Sequence, residues 1–356
     1  MKGLENVIAA ETALCDIDGE NGRLIIRGWP IEQLAKGRTF EEAVFFLWED
    51  RFPDEKEKVA FSKKLLDAMR LNTDFRRFLD AIAVQDTVSY LSAALSGLDR
   101  NAFSWPPTTD QAVRLVGLVP AIIGYLEGRR CGRPFVAPDP TLSFAGNYLY
   151  LLLGERPTPE EVRALDTYFI LTMEHGLNAS TFTARVIIST QSDLVSAIVG
   201  AIGALKGPLH GGAPSKVIDM FEAIGDEGSI EAWIDEQLAQ RKRIMGFGHR
   251  VYRAKDPRAK VLKMMAEPLA GDGGWFSLAL KVEEIAEQKL ALYKPDRPLR
   301  TNVEFYAAAV FKAIGLAPST YTATFATSRL AGWCAHALEQ AAENKLIRPR
   351  AKYIGK

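Results

Sequence analysis

Three of the four histidines of this 356-residue chain sit in short polar clusters bounded by glycine. They are Glu174-His175-Gly176-Leu177-Asn178, Gly207-Pro208-Leu209-His210-Gly211-Gly212 and Gly246-Phe247-Gly248-His249-Arg250-Val251-Tyr252; an acidic element, Thr301-Asn302-Val303-Glu304-Phe305-Tyr306, follows them. Imidazole gains and loses protons near neutral pH, so scarce histidines beside flexible glycines suggest proton chemistry more than packing. The fourth, His336, lies in a helical Trp-Cys-Ala-His-Ala-Leu run and reads as a packing residue. Arginines supply the other half of the pattern. Arg253, Lys255 and Arg258 follow His249, Arg297 and Arg300 precede Glu304, and Arg348 belongs to an Arg-Pro-Arg run. Arg329 lies within a stretch of small and apolar residues. A buried guanidinium needs a partner, and its planar fork matches a carboxylate in two-point contact, so a small di- or tricarboxylate is a natural ligand.

Other chemistries fit less well. The histidines are roughly 35 to 40 residues apart, with no His-Glu-x-x-His pair, so no metal site is expected. Gly246-Phe247-Gly248 gives a backbone with two positions free of side chains, open to a bound group. Neither Gly200-Ala201-Ile202-Gly203 nor Gly271-Asp272-Gly273-Gly274 follows a credible strand with a full dinucleotide fingerprint, and no phosphate-loop Gly-Lys-Ser/Thr ending occurs. Lys plus Arg equals Asp plus Glu at 44 each. A nucleic-acid partner is therefore not expected, and an anionic ligand must be met by a local basic cluster. The three cysteines are odd in number and far apart, which fits a reducing cytoplasm. Met1 to Leu14 lacks a basic start followed by an apolar block, and the apolar windows at 113–125 and 194–205 are too short to span a bilayer, so neither export nor a membrane location is expected.

Helical punctuation positions these residues. Thr39-Phe40-Glu41-Glu42 has capping-box spacing, and Thr158-Pro159-Glu160-Glu161 adds proline at the first helical position with acids in the first turn. Apolar residues at three- and four-residue spacing predict further helices over 214–223, 230–241, 257–267, 278–292, 303–314 and 321–342. Only Ala13 to Arg27, with Asp18-Gly19-Glu20-Asn21-Gly22 between apolar runs, reads as a β-hairpin. The class is mainly α, with no fixed-period repeat and no low-complexity segment.

Taken in order, these motifs resemble the citrate synthase family: Glu174-His175 with Asn178, Gly-Pro-Leu-His-Gly-Gly, Gly-Phe-Gly-His-Arg-Val-Tyr with Asp256-Pro257-Arg258, Asn302-Val303-Glu304-Phe305-Tyr306 and Arg348-Pro349-Arg350. The likeness extends to Glu11-Thr12-Ala13-Leu14 and the Gly22 to Gly28 segment, and so covers the whole chain. It implies a two-domain helical fold with a short N-terminal β-hairpin. A large domain is built from 1–212 and 315–356, and a small domain carrying CoA-site and catalytic residues is inserted at 213–314. It further implies condensation of oxaloacetate with acetyl-CoA and hydrolysis of the citryl thioester. Glu304 would be the base, His210 the donor to the enol oxygen and His249 the acid for the ketone. His175, Arg258, Arg329 and Arg348 would bind oxaloacetate, with Arg348 reaching across the interface of a homodimer. Gly246, Phe247 and Gly248 would lie near the adenine of CoA, with Arg253, Lys255, Arg297 and Arg300 as partners of its phosphates. No tightly bound cofactor is implied, since acetyl-CoA is a substrate.

One departure stands out. The family's usual Asn-Val-Asp-Phe-Tyr reads Glu304 at its third position here. The carboxylate is retained with one more methylene, and a displacement of about 1 Å can cost on the order of a hundredfold in rate unless something compensates. A propionyl-CoA-using 2-methylcitrate synthase and a non-catalytic ligand-sensing relative are the alternatives.

Overall fold

A computed structural model of the chain describes residues 3–4, 7–83, 86–211, 213–271, 274–296 and 299–355. The predicted hairpin is present as two antiparallel strands, β1 (Cys15–Asp18) and β2 (Arg23–Ile26), in the register Cys15 opposite Ile26 and Asp18 opposite Arg23. Leu24 and Ile26 of β2 are buried while Arg23 between turn and strand is exposed, the alternation of a one-sided sheet. A short third strand, β3 (Trp29–Pro30), extends it.

All other regular structure among the described residues is helical. Ten helices come first: α1 (Ile31–Ala35), α2 (Phe40–Glu49), α3 (Glu55–Ala68), α4 (Thr73–Ala81), α5 (Thr87–Ser96), α6 (Thr109–Arg130), α7 (Phe144–Leu153), α8 (Pro159–Thr172), α9 (Ala179–Ser189) and α10 (Leu194–Leu205). Five more follow: α11 (Ala213–Ile224), α12 (Ile230–Ala239), α13 (Pro257–Ala266), α14 (Trp275–Tyr293) and α15 (Val303–Ala313). The last is α16 (Tyr321–Ala342). Both capping boxes form as the sequence predicts, at Thr39 with Glu42 and at Thr158 with Glu161. Helix α6 runs through Pro120, whose surroundings are buried.

Helix α16 is the central pillar, packed against α2, α5, α6, α8, α9 and α10. Its small residues Ala323, Ala326, Ala331, Gly332 and Ala335 are buried and let neighbours approach closely. At Gly332 the missing Cβ would collide with the Met173 carbonyl and lie 2.5 Å from a carboxylate oxygen of Glu174. Helices α11 and α13 pack on α15, and α12 packs on α14; α13 and α15 also touch α8. The hairpin turn rides on the segment 251–255: Arg253 N donates to Gly19 O at 2.9 Å, and a Cβ on Gly22, which has φ +63°, would lie 2.6 Å from Lys255 O. The N-terminal sheet thus props up the loop that carries His249. No helix among the described residues is long and apolar enough to cross a membrane.

Candidate active site

Three loops and two helices converge. The first loop joins α8 to α9. Its Glu174 is fully buried and accepts from Gly176 N at 2.7 Å, which fixes the turn at Gly176 (φ +60°) directly after His175. His175 Nε2 lies 3.1 Å from the Tyr252 hydroxyl, and its ring meets that of His249 edge to face at 5.4 Å between centroids. Burial first, and then the Arg258 cation, the neighbouring His249 and the Arg329 cation, hold the His175 pKa well below its ordinary value.

The second loop, between α10 and α11, carries His210. Backbone bonds from His210 N to Gly207 O and from Gly211 N to Leu205 O, both 2.9 Å, shape it. The ring's Nε2 faces Ser180, 2.8 Å from Oγ and 3.4 Å from the backbone N–H. The ring nitrogen thus meets both a backbone N–H and a hydroxyl whose own proton goes to Asn178 Oδ1. Ser180 is itself held by Asn178 Oδ1 at 2.8 Å and by Trp333 Nε1 at 3.1 Å. Burial and the Arg329 cation lower the His210 pKa to about 4.

In the third loop, His249 Nδ1 accepts from Val251 N at 3.0 Å and from Tyr252 N at 3.1 Å. Two donors on Nδ1 place the ring proton on Nε2. Burial, helped by Arg258 and opposed by Asp256, lowers its pKa to about 4. All three rings are therefore neutral near pH 7, and that of His249 has its one N–H fixed on Nε2.

Arg258 is buried and bound through Nε and Nη2 to Asp256, at 2.9 and 2.8 Å, leaving Nη1 outside the pair. Asp256 Oδ2 also accepts from Val303 N at 3.1 Å, so one carboxylate anchors both the guanidinium and the start of α15. Asn302 caps that helix, accepting from Glu304 N at 3.0 Å while donating to Gly248 O at 2.8 Å. Glu304 in the first turn of α15 has its pKa pushed up to about 7: burial raises it, the Arg258 cation opposes, and Asp256 raises it further. Arg329 on α16 is buried, donates from Nε to Thr172 O at 2.7 Å and lies over the Phe325 ring at 4.8 Å. No carboxylate among the described residues makes an ion pair with it, and burial lowers its pKa to about 10, partly offset by Glu174.

Comparisons with known proteins identify the family. A family model described as citrate synthase, C-terminal domain, matches residues 3–350. The chain belongs to the citrate synthase family. A citrate synthase of Haloferax volcanii is 39% identical, with 99% of this chain and 95% of that protein covered. A 2-methylcitrate synthase of Mycobacterium tuberculosis is 36% identical over 99% of this chain and 90% of its own length. Among solved structures, citrate synthase of Thermotoga maritima matches with TM-score 0.89 and 39% identity, covering 100% of this chain and 96% of that one. Citrate synthase of Thermoplasma acidophilum, in a ternary complex with carboxymethyl coenzyme A and oxaloacetate, matches with TM-score 0.91 and 33% identity over 100% of this chain and 96% of that one.

Against the citrate synthase frame, the remaining sequence-predicted residues divide. Lys255 and Arg300 meet around Glu287, at 3.9 and 3.1 Å, whereas exposed Arg253 turns to Glu20 of the hairpin at 2.5 Å. Arg297 lies outside the described residues, as does Gly212. Arg348 is exposed on the tail after α16, lining a groove of about 940 Å³ with Glu11, Thr12, Arg185 and Glu339. The glycines at 246 and 248 have a different local reason from the one expected. Both have positive φ, and their missing Cβ atoms would press on Phe305 at 2.8 Å and Leu299 at 2.9 Å, so protein occupies the freed space. Their backbones pair with 300–302: Gly248 N donates to Arg300 O at 2.7 Å, and Asn302 N donates to Gly246 O at 2.9 Å. Ser180, Trp333 and the bridging role of Asp256 escaped the sequence reading, because they depend on tertiary pairing across loops. Asp256 carried a signal, its place directly before Pro257 and Arg258 at a helix start.

Proposed function

We propose that this chain condenses oxaloacetate with acetyl-CoA and hydrolyses the resulting citryl thioester, releasing citrate and CoA. The observation that carries this reading is the combination of three buried, neutral imidazoles, His175, His210 and His249, with Glu304, a carboxylate whose pKa is pushed up to about 7. A methyl group beside a thioester is a weak carbon acid, so a base and an oxygen donor must act together. Glu304 takes the methyl proton while His210 stabilises the developing enol oxygen. His249 Nε2–H donates to the ketone oxygen of oxaloacetate as the new carbon–carbon bond forms, and His175 holds the substrate's polar groups. Arg329, with no internal carboxylate, and the free edge of Arg258 receive the carboxylates of oxaloacetate. Water then cleaves the thioester. The start of α15, which carries Glu304 in its first turn, is fixed by Asp256 and Asn302.

The acyl-CoA lies along the 246–248 loop, its phosphates meeting Lys255 and Arg300, with Arg253 and Arg297 as further partners. Arginine and histidine supply the charge neutralisation, so no metal or resident cofactor enters the scheme. The segment 213–314 forms the small domain, inserted into a large domain of 1–212 and 315–356, and closes over oxaloacetate to exclude water. The protein works as a cytoplasmic homodimer in the tricarboxylic acid cycle, its exposed Arg348 completing the partner's oxaloacetate site.

CoA thiol release with oxaloacetate and either acetyl-CoA or propionyl-CoA, at matched concentrations, tests the substrate. Faster release with acetyl-CoA is expected. A propionyl-CoA preference would move the protein to the 2-methylcitrate synthases, since one methylene in an apolar pocket is worth only about 1–3 kcal/mol.

A further inference from the structure

Behind the oxaloacetate pocket lies a buried polar chain that no step above uses. Glu339 on α16 accepts from Ala13 N at 2.8 Å and Thr12 Oγ1 at 3.1 Å, tying down the N-terminal segment. Its other oxygen is 2.6 Å from Arg185 Nη1, which also lies 2.9 Å from His336 Nδ1. A guanidinium can only donate, so His336 Nδ1 accepts and the ring proton sits on Nε2, 3.0 Å from Glu174 Oε1. That oxygen also accepts from Gly176 N and from Cys15 Sγ at 3.3 Å. Glu174 Oε2 meets no donor among the described residues; it lies against Gly332, which is three residues along α16 from Arg329.

Two features make this more than packing. Glu174 is the residue before His175 and the strongest anionic influence on Arg329, yet it makes no ion pair with that cation. Its donors all gather on Oε1. Were the carboxylate free to turn, the buried guanidinium one helical turn away would be its natural partner, and a substrate carboxylate would have to displace it.

We infer that the Arg185–His336–Glu174 chain is a positioning relay: by pinning Glu174 on Oε1 it holds an anion near Arg329 without letting the two pair, which keeps Arg329 available and sets the pocket's affinity for a dicarboxylate. The inference rests on the proposed oxaloacetate site. It gives substitutions opposite signs that a structural role does not. Glu174→Gln keeps an acceptor for Gly176 and His336 but removes the opposing charge, so the oxaloacetate KM falls on the order of tenfold. His336→Ala frees Glu174 to pair with Arg329, so the KM rises by a similar factor. The double variant returns to the Glu174→Gln value, because no carboxylate remains to capture Arg329.

The test combines oxaloacetate KM from CoA release for the parent and three variants, thermal midpoints for each, and ¹⁵N imidazole shifts of the parent. Only four histidines need assignment. The relay predicts the three KM signs above and an Nε2–H tautomer for His336. It is overturned if both single variants raise KM and the double is additive, if KM is unmoved while only the midpoints fall, or if His336 carries its proton on Nδ1. A parent that releases no CoA would instead refute the proposed reaction; the tautomer measurement would still decide the relay's geometry.

Discussion

The two sides of the site are built differently. On the side proposed for oxaloacetate, His175, Arg258 and Arg329 are buried among α8, α13 and α16, and each has a set hydrogen-bond partner. On the side proposed for acyl-CoA, Lys255 and Arg300 are exposed or half-exposed and share a single carboxylate, Glu287. The first half is preorganised and buried, so each removal leaves a buried group unpaired. The second is solvated, and its charges are screened and replaceable. Glu304 stands between the two halves, its helix start fastened to Asp256 on one side and to the Gly248 carbonyl through Asn302 on the other.

Substitutions should grade accordingly. The largest effect is expected at the junction: Glu304→Gln keeps the volume but removes the base, lowering kcat on the order of 10²–10⁴-fold while calorimetric binding of oxaloacetate persists. Next, Arg329→Gln should raise the oxaloacetate KM on the order of a hundredfold and leave the acyl-CoA KM nearly unchanged; equal increases in both would break the contrast between the halves. The pH dependence comes third. Because Glu304 must be ionised and its pKa is about 7, kcat/KM should fall toward tenfold per unit as pH drops below that value and level off above it. The histidines, with His210 and His249 at about 4, contribute no second acid limb between pH 5 and 7. The smallest effect is expected from Lys255→Ala and Arg300→Ala. Each should raise the acyl-CoA KM only a few-fold, by an amount that shrinks as salt is added, with the oxaloacetate KM unmoved.

Much of this was legible in the chain because local signals agree with the fold. Thr39 and Thr158 are followed at the right spacing by Glu42 and Glu161, and both helices begin there. The hairpin was readable from its turn residues, but β3 was not, since a two-residue strand ending in Pro30 carries no periodic pattern and Pro lacks a ladder donor. The histidine clusters were readable from composition, and the state of each ring was not. His210 meets Ser180, 30 residues away, and His336 is set by Arg185, 151 away; neither spacing leaves a mark in sequence. The exposed arginines show the opposite failure. Arg253 shares a motif with His249, yet it pairs with Glu20 across the hairpin, because a long cationic side chain at a surface takes the nearest carboxylate.

The most direct measurement follows CoA release from acetyl-CoA and oxaloacetate by the purified protein beside its Glu304→Gln variant, with the product identified by mass spectrometry. The account predicts citrate from the parent and a rate at least a hundredfold lower from the variant, with both proteins binding oxaloacetate. Parental turnover by the variant would show that another group removes the methyl proton and would contradict the central assignment.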